Sequence, residues 1–292
     1  MVNNTILIYE ALHKASIFLS QHKKDPQLAQ AIFLQWKDWT LTDLVSRMNS
    51  PLTSDESEAF QQILSRFVAD EPLAYILGRS YFKDQCFKVN PHTLIPREET
   101  EGILDLLIEH RSKEQVQRLI DIGTGTGILA ICAAQYYPAA EVIGTDISEG
   151  ALEVARENAA EHQVAIRWIE SDVWNQVPSK RYDVILSNPP YISEDEQSVM
   201  DASVLKYEPT KALFAKSNGL AIYQRIASGL HSYIASEGIA ILEIGYRQGE
   251  SVRAIFQEAC PTAEVSVHQD FNQLDRYVVV DFGTPGEEGK DE

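Results

Sequence analysis

Three glycines alternate with threonines directly after a short apolar run. The sequence reads DIGTGTG over residues 121–127. Glycine adopts left-handed backbone conformations at low cost and lets backbone N–H groups approach a ligand closely. A predicted strand precedes this loop and a predicted helix follows it, which is typical of a nucleotide-cofactor site. We expect the cofactor to contact Asp121, Gly123, Thr124, Gly125, Thr126 and Gly127.

Two further carboxylates follow the next two predicted strands. Asp146 lies 23 residues past Gly123, where a carboxylate can accept both ribose hydroxyls of an adenosine. Asp172 ends the third strand, where it can accept the exocyclic amine of adenine, and Val173 or Trp174 can wall the ring. A lone glycine-rich turn is weak evidence, and on the loop alone NAD binding stays open. The glycine loop, Asp146 and Asp172 follow three successive predicted strands, and this arrangement favours a bound adenosine.

The sequence NPPY at residues 188–191 follows the fourth predicted strand, at the edge where open α/β sheets bind ligands. An amide nitrogen is a poor nucleophile because its lone pair is delocalised into the carbonyl group. The Asn188 side-chain oxygen and the Pro189 carbonyl can accept its N–H groups and turn the lone pair towards a methyl sulfonium. Pro189 and Pro190 have a fixed φ that stiffens this carbonyl. Tyr191 can stack on the planar group.

The same residues have a simpler interpretation, because Asn-Pro-Pro is ordinary turn chemistry. The position after the fourth strand of an adenosine-binding sheet instead favours methyl transfer from S-adenosylmethionine to a planar amide or amine. The histidines show neither metal-ligand nor triad spacing, and the acidic run at residues 194–196 is typical of a solvated loop. We therefore expect no metal.

The elements that must position these residues alternate between strand and helix. Predicted strands cover residues 118–122, 141–145, 165–169, 182–187, 239–244, 263–268 and 276–282. Predicted helices cover residues 127–137, 148–162, 220–235 and 251–258, and another helix runs to about residue 110. Repeated βα units imply an α/β, Rossmann-like parallel sheet covered on both faces, with the last two strands as an antiparallel edge.

The first stretch, to about Pro72, has helical periodicity. One helix is predicted to open at Asp25-Pro26, and another at Thr53 with Glu56 completing a capping box. A change of pattern at residues 75–89 predicts a β-hairpin. The predicted domains are a helical domain at 1–74, a linker hairpin at 75–95, a catalytic domain at 96–283 and a flexible tail at 284–292.

Composition narrows the class of partner. The 292 residues carry 25 Lys and Arg against 43 Asp and Glu, a formal net charge of −18. Such a surface repels nucleic acid unless a basic patch opposes it, so we expect a protein or small-molecule substrate. Three separated cysteines favour reduced thiols, and no signal peptide or membrane span is visible. These features predict a soluble, cytoplasmic protein that contacts neither nucleic acid nor membrane.

With these residues in place, the chain resembles the release factor glutamine methyltransferases, which are protein-(glutamine-N5) methyltransferases. The resemblance runs over nearly the whole chain. DIGTGTG and NPPY are shared with many methyltransferases, whereas LIPREETE at residues 94–101 and KYEPTKALFA at residues 206–215 are much more specific. Similar elements are ILEIGYRQG at residues 241–249 and FNQLDRYVVV at residues 271–280.

The resemblance implies a class I methyltransferase fold and S-adenosylmethionine as donor. It implies that the acceptor is the glutamine of the Gly-Gly-Gln motif in peptide chain release factors, docked by the helical domain. Residues 123–127, Asp146 and Asn188 would bind cofactor, and residues 188–191 would hold the glutamine.

The resemblance also implies that Phe82 lines the pocket. Arg97 and Glu101 match the family's LIPRxxTE pattern, and whether they act directly or by packing the entrance stays open. Val173 stands where family members often place an aromatic or aliphatic residue.

Two other functions fit parts of the sequence. An adenine-N6 nucleic acid methyltransferase would also use NPPY, because the motif can orient an exocyclic amine. It would need a basic cleft or a target-recognition domain, and the net charge of −18 argues against it. A cofactor-binding interaction module without catalysis would be favoured by an eroded glycine loop or Asn188, and both are intact.

Overall fold

The computed structural model describes residues 6–283. The chain divides into two compact units. One holds the residues up to Gly78 together with residues 201–207, and the other holds residues 79–200 and the chain from Glu208 onwards. The predicted boundary after residue 74 falls inside a helix that the sequence did not predict, at Leu73–Leu77. The predicted flexible tail at 284–292 lies outside the described residues.

The helices and strands are numbered in chain order. The helices are α1 (Ile8–Gln21), α2 (Leu28–Lys37), α3 (Leu41–Arg47), α4 (Ser54–Val68), α5 (Leu73–Leu77), α6 (Glu101–His110), α7 (Ile128–Tyr136), α8 (Glu149–Glu161), α9 (Ala202–Tyr207), α10 (Thr210–Leu213), α11 (Ala221–Tyr233) and α12 (Gly249–Ala259). The strands are β1 (Arg79–Phe82), β2 (Gln85–Lys88), β3 (Arg118–Ile122), β4 (Glu141–Asp146), β5 (Arg167–Glu170), β6 (Tyr182–Ser187), β7 (Ile234–Glu243), β8 (Glu264–Gln269) and β9 (Asp275–Asp281). Short 3-10 helices cover Glu98–Thr100 and Glu194–Val199.

The seven-stranded sheet has the order β5-β4-β3-β6-β7-β9-β8. The first five strands in that order pair in parallel, whereas β9 runs antiparallel to both of its neighbours. Apolar clusters cover both faces, with the side chains of β3, β6 and β7 alternating between them. The predicted Rossmann-like class is thus confirmed, and the carboxyl ends of β4, β3, β6 and β7 lie side by side.

Several element bounds differ from the sequence prediction. Ile234 and Ala235 belong to β7 and not to the preceding helix, because no glycine or proline between residues 230 and 235 marks the end of that helix. The second helix starts at Leu28, since Pro26 and Gln27 form a turn. Residues 73–77 are helical, so the hairpin is shorter than predicted. The 3-10 helix at 194–199 and the helices α9 and α10 were not predicted.

The helical unit is built around a compact apolar core. Thr53 caps α4 and shares the predicted capping box with Glu56. Helix α9 completes this unit, because its Tyr207 hydroxyl donates to the Ala69 carbonyl at 3.0 Å and Ser203 donates to the Asp70 carbonyl at 2.7 Å. Among residues 6–283, no helix is long and apolar enough to cross a membrane.

Candidate active site

The glycine loop lies between the ends of two neighbouring strands. The backbone N–H groups of Gly123 and Thr124 both donate to the Thr145 carbonyl of β4 at 2.8 Å. Gly123, Gly125 and Gly127 have φ of 73°, 55° and 83°, a region that side-chain-bearing residues rarely adopt. On the other side, Ser187 Oγ donates to the Ile122 carbonyl at 2.7 Å. The loop therefore sits directly between Asp146 and the NPPY segment.

Asp121 is buried beneath this loop. One carboxylate oxygen accepts the Thr124 hydroxyl at 2.5 Å. The other, Oδ1, is buried, and the Ala130 backbone N–H favours the ionised form of the carboxyl. Burial raises the pKa of Asp121 to about 7, and the nearby Asp146 carboxylate adds to that rise. A cationic ligand bound above the loop would favour the ionised form.

Asp146 ends β4, as predicted, and faces the loop. Its Oδ2 accepts the Gly125 N–H at 2.9 Å and its Oδ1 accepts the Ser148 N–H at 2.9 Å. Burial raises the pKa of this carboxyl as well. The neighbouring Ile147 is 50% exposed and is not among the residues predicted from the sequence. An exposed apolar side chain directly after this acid is a candidate wall for an adenine ring.

The space over the loop fits a cofactor. A Cβ built on Gly123 or Gly125 meets no atom within 4 Å, so the backbone is open to a ligand on that side. Together with the Asp121 and Asp146 carboxyl groups, this open cradle suits the cationic S-adenosylmethionine. Gly127 differs, because a Cβ there meets Trp168 at 3.0 Å and Ala155 at 3.1 Å. Its role is close helix packing.

Gly123→Ala is expected to weaken binding of S-adenosylhomocysteine by at least about tenfold, since the added methyl group occupies ligand space. Gly78→Ala is the matched control. Gly78 has a φ of 70° and equally open surroundings, so both variants carry the same backbone strain, about 1–2 kcal/mol. Isothermal titration calorimetry of both variants checks this. Equal affinities in the two would contradict a cofactor at the glycine loop.

The three residues predicted to contact adenine, Asp172, Val173 and Trp174, have different surroundings in the structure. Asp172 forms an ion pair with Arg225 Nη1 at 2.8 Å. The Trp174 indole is stacked on Tyr233, with centroids 4.5 Å apart, and its N–H donates to carbonyls of α11. Trp174 is thus committed to α11, which leaves Val173, buried with a φ of 55°, as the remaining candidate of the two.

The side chains of NPPY are held by two residues that the sequence analysis did not single out. Asn188 Nδ2 donates to Thr100 Oγ1 at 3.0 Å, and the Thr100 hydroxyl donates to Glu243 Oε2 at 2.6 Å. The Tyr191 hydroxyl donates to the second oxygen, Glu243 Oε1, at 3.3 Å. Glu243 ends β7, the strand beside β6. One buried carboxylate therefore anchors both ends of the motif.

The backbone of the same segment is also fixed. Gln248 Nε2 donates to the Tyr191 carbonyl at 2.9 Å. Ile192 donates to the Leu213 carbonyl at 3.0 Å and accepts from Ala215 N at 3.0 Å. The loop that carries Pro189 and Pro190 is consequently held by contacts from three separate parts of the chain.

Three residues assigned through the family resemblance have structural partners. Arg97 Nη2 lies 2.5 Å from the buried Glu208 carboxylate, which joins LIPREETE to KYEPTKALFA. Glu101 Oε1 accepts the Lys83 N–H at 2.8 Å and holds the hairpin turn. Phe82 is buried edge-on against Phe87, with centroids 6.4 Å apart. Arg97 is also near enough to Tyr191 to lower the pKa of its hydroxyl slightly against the effect of burial. The direct roles of these three side chains stay predictions.

Comparisons with known proteins agree along the chain. The family profile described as Methyltransferase small domain matches residues 101–217, and the PrmC N-terminal domain profile matches residues 10–78. A release factor glutamine methyltransferase of Lactococcus lactis is 39% identical over 90% of this chain and 96% of its own. A release factor glutamine methyltransferase of Enterococcus faecalis is 35% identical over 94% of this chain and 98% of its own. A methyltransferase structure from Pyrococcus furiosus has a TM-score of 0.52, 16% identity and coverage of 77% of this chain and 100% of its own.

The sheet, the glycine loop and the NPPY segment define a class I, S-adenosylmethionine-dependent methyltransferase. The structural likeness at 16% identity supports the fold. The sequence identities of 39% and 35% over nearly complete chains go further. The chain belongs to the release factor glutamine methyltransferase family, which confirms the predicted resemblance.

Proposed function

We propose that this protein transfers the methyl group of S-adenosylmethionine to the side-chain amide N5 of the glutamine in the Gly-Gly-Gln motif of peptide chain release factors. The observation that carries the proposal is the Asn188 amide, held by Thr100 beside an open glycine loop. Methylation of this glutamine would modulate translation termination.

Orientation of the acceptor amide is the main task of the site. Asn188 Nδ2 is occupied by Thr100, so its oxygen is the end left to accept an N–H of the substrate. The Pro189 carbonyl accepts the other N–H, and Tyr191 can cover the planar amide. With both N–H groups held, the nitrogen lone pair is directed at the methyl group at near-attack distance, roughly 3–3.5 Å.

S-adenosylmethionine supplies an electrophilic methyl group when bound. The glycine loop, Asp121 and Asp146 would hold it, with Ile147 or Val173 against the adenine. Transfer would break the sulfur–methyl bond and leave S-adenosylhomocysteine. The Asn188 and Pro189 oxygens would hold the two N–H groups as they become acidic and would stabilise the growing positive charge. The proton then leaves to water, so the site needs no strong base.

The helical unit is proposed to dock the release factor. It contains none of the predicted site residues, and the PrmC N-terminal domain profile matches it. The acidic composition, with a net charge of −18, suits a protein partner better than nucleic acid. A cytoplasmic location, where release factors act, is part of the same proposal.

Transfer of labelled methyl from S-adenosylmethionine to a purified release factor tests the function. Label is expected on the wild-type release factor and not on a Gln→Ala variant of its Gly-Gly-Gln motif, because the amide nitrogen is the nucleophile. Mass spectrometry of the Gly-Gly-Gln peptide locates the added methyl group. Label on DNA or RNA, with none on the release factor, would instead favour an adenine-N6 methyltransferase.

A further inference from the structure

We propose that Thr100 and Glu243 form a hydrogen-bond relay that fixes which end of the Asn188 amide faces the acceptor. The inference rests on the proposed function and assigns two positioning residues to it. Thr100 lies in LIPREETE and Glu243 in ILEIGYRQG, 143 residues apart in the chain.

The direction of each hydrogen bond follows from the number of protons available. A threonine hydroxyl has one proton, and at Thr100 it is donated to Glu243 Oε2 at 2.6 Å. Thr100 Oγ1 can therefore only accept from Asn188, which requires the NH2 end of that amide, at 3.0 Å. The Asn188 oxygen is consequently turned away from Thr100, as an acceptor for the substrate N–H must be.

The position of Glu243 maintains the direction of these two hydrogen bonds. The carboxylate is buried, and its second oxygen accepts the Tyr191 hydroxyl at 3.3 Å. The ionised carboxylate accepts at both oxygens, whereas the protonated acid has an O–H that must donate from one of them. Its backbone carbonyl accepts the Tyr223 hydroxyl at 2.7 Å. The charged and titratable groups that face it are Arg276 and Tyr277 of β9, Tyr223 of α11, Tyr191, and Glu99 of the 3-10 helix.

Protonation of Glu243 would disturb the relay. Burial raises its pKa to about 7, against the lowering effects of the Thr100 hydrogen bond and Arg276. Burial also raises the pKa of Tyr191, Tyr223 and Tyr277, so these hydroxyls stay neutral near neutral pH. A protonated Glu243 can donate to Thr100, whose hydroxyl then turns to Asn188 and selects its oxygen. The NH2 end would then face the substrate.

Thr100→Val keeps the shape of the side chain and removes the hydroxyl. At saturating cofactor and release factor, kcat is expected to fall roughly 10- to 100-fold, because the Asn188 amide loses its orientation. Thr100→Ser restores the hydroxyl and should recover kcat to within about threefold of wild type. Affinity for S-adenosylhomocysteine should be unchanged in both. A Thr100→Val kcat within about threefold of wild type, or no recovery with serine, would overturn the relay.

Glu243→Gln separates the relay from a purely structural role. Its amide oxygen can still accept from Thr100, so the variant should retain part of the wild-type kcat. Wild-type kcat is expected to fall as the pH drops below about 7, and Glu243→Gln should lose that acidic limb. An acidic limb unchanged in Glu243→Gln would show that another group titrates, and would overturn the assignment.

NMR of the Asn188 side-chain amide tests the relay in the absence of the release factor. The Asn188 NH2 signals, identified by their loss in Asn188→Ala, should titrate near pH 7 in wild type and not in Glu243→Gln. Asn188 NH2 signals at the same position in wild type, Thr100→Val and Glu243→Gln would refute the relay even if methylation proceeds. If the wild-type protein shows this titration but does not methylate the release factor, the proposed function is refuted and the relay is not.

Discussion

Asn188→Ala is expected to lower kcat for release factor methylation by about 10²- to 10³-fold, the range found when one preorganised transition-state hydrogen bond is removed. The Asn188 oxygen accepts an N–H that becomes more acidic as nitrogen attacks, so the contact strengthens in the transition state. Alanine removes this acceptor and leaves Thr100 without its donor. Steady-state kinetics at saturating S-adenosylmethionine isolate the effect from any loss of cofactor affinity.

Gln257→Ala provides a control, because Gln257 is an exposed amide on α12 outside the helical unit and should leave kcat unchanged. Cofactor binding by calorimetry and the thermal midpoint should show that Asn188→Ala is folded. A kcat within about threefold of wild type would refute the orientation mechanism, since nothing else in the motif can replace that oxygen.

The position of this site was predictable because parallel strands end at one edge. Asp121 is the penultimate residue of β3, Asp146 ends β4 and Asn188 follows β6. Pairing of β3 with β4 and β6 brings them together. That inference needs only the period of the strands and the rule for open sheets. It requires no knowledge of side-chain contacts.

The same signal was available for Glu243 and was missed. Glu243 ends an apolar strand at the same edge, in the same way as Asp146 ends β4. What the sequence could not show is its partner, because the contact with Thr100 spans 143 residues. The Arg97–Glu208 pair is similar, at a separation of 111 residues. Such pairings depend on where loops fold back, which local periodicity does not encode.

Trp174 illustrates a second limit. The sequence placed it after the acid of the third strand, where either it or Val173 could reach adenine. The choice depends on α11, where a Cβ at Gly229 would lie 2.4 Å from the indole. A glycine more than fifty residues away thus admits the Trp174 ring. Burial against α11 outweighs the local position in deciding where the side chain goes.

Gly219→Ala is expected to lower kcat by at least about 100-fold, which is the usual effect of a misplacement of roughly 1 Å near the reacting groups. A Cβ at Gly219 would lie 1.9 Å from the Tyr191 carbonyl oxygen and 2.6 Å from Gln248 Nε2. Tyr191 therefore has to move, and the hydrogen bond from Gln248 that fixes it is lost. The adjoining Pro189 carbonyl moves with it.

Backbone strain alone cannot account for such a loss, and Gly78→Ala measures it. Gly219 and Gly78 have φ of 81° and 70°, but only Gly219 meets backbone atoms. Both variants carry a left-handed alanine that costs about 1–2 kcal/mol, whereas the steric overlap is confined to Gly219. Calorimetry with S-adenosylhomocysteine should show that the glycine loop of Gly219→Ala still binds. If Gly219→Ala has the kcat of both Gly78→Ala and wild type at saturating release factor, the position of the NPPY backbone does not control the reaction, because a displaced Tyr191 carbonyl would then be tolerated.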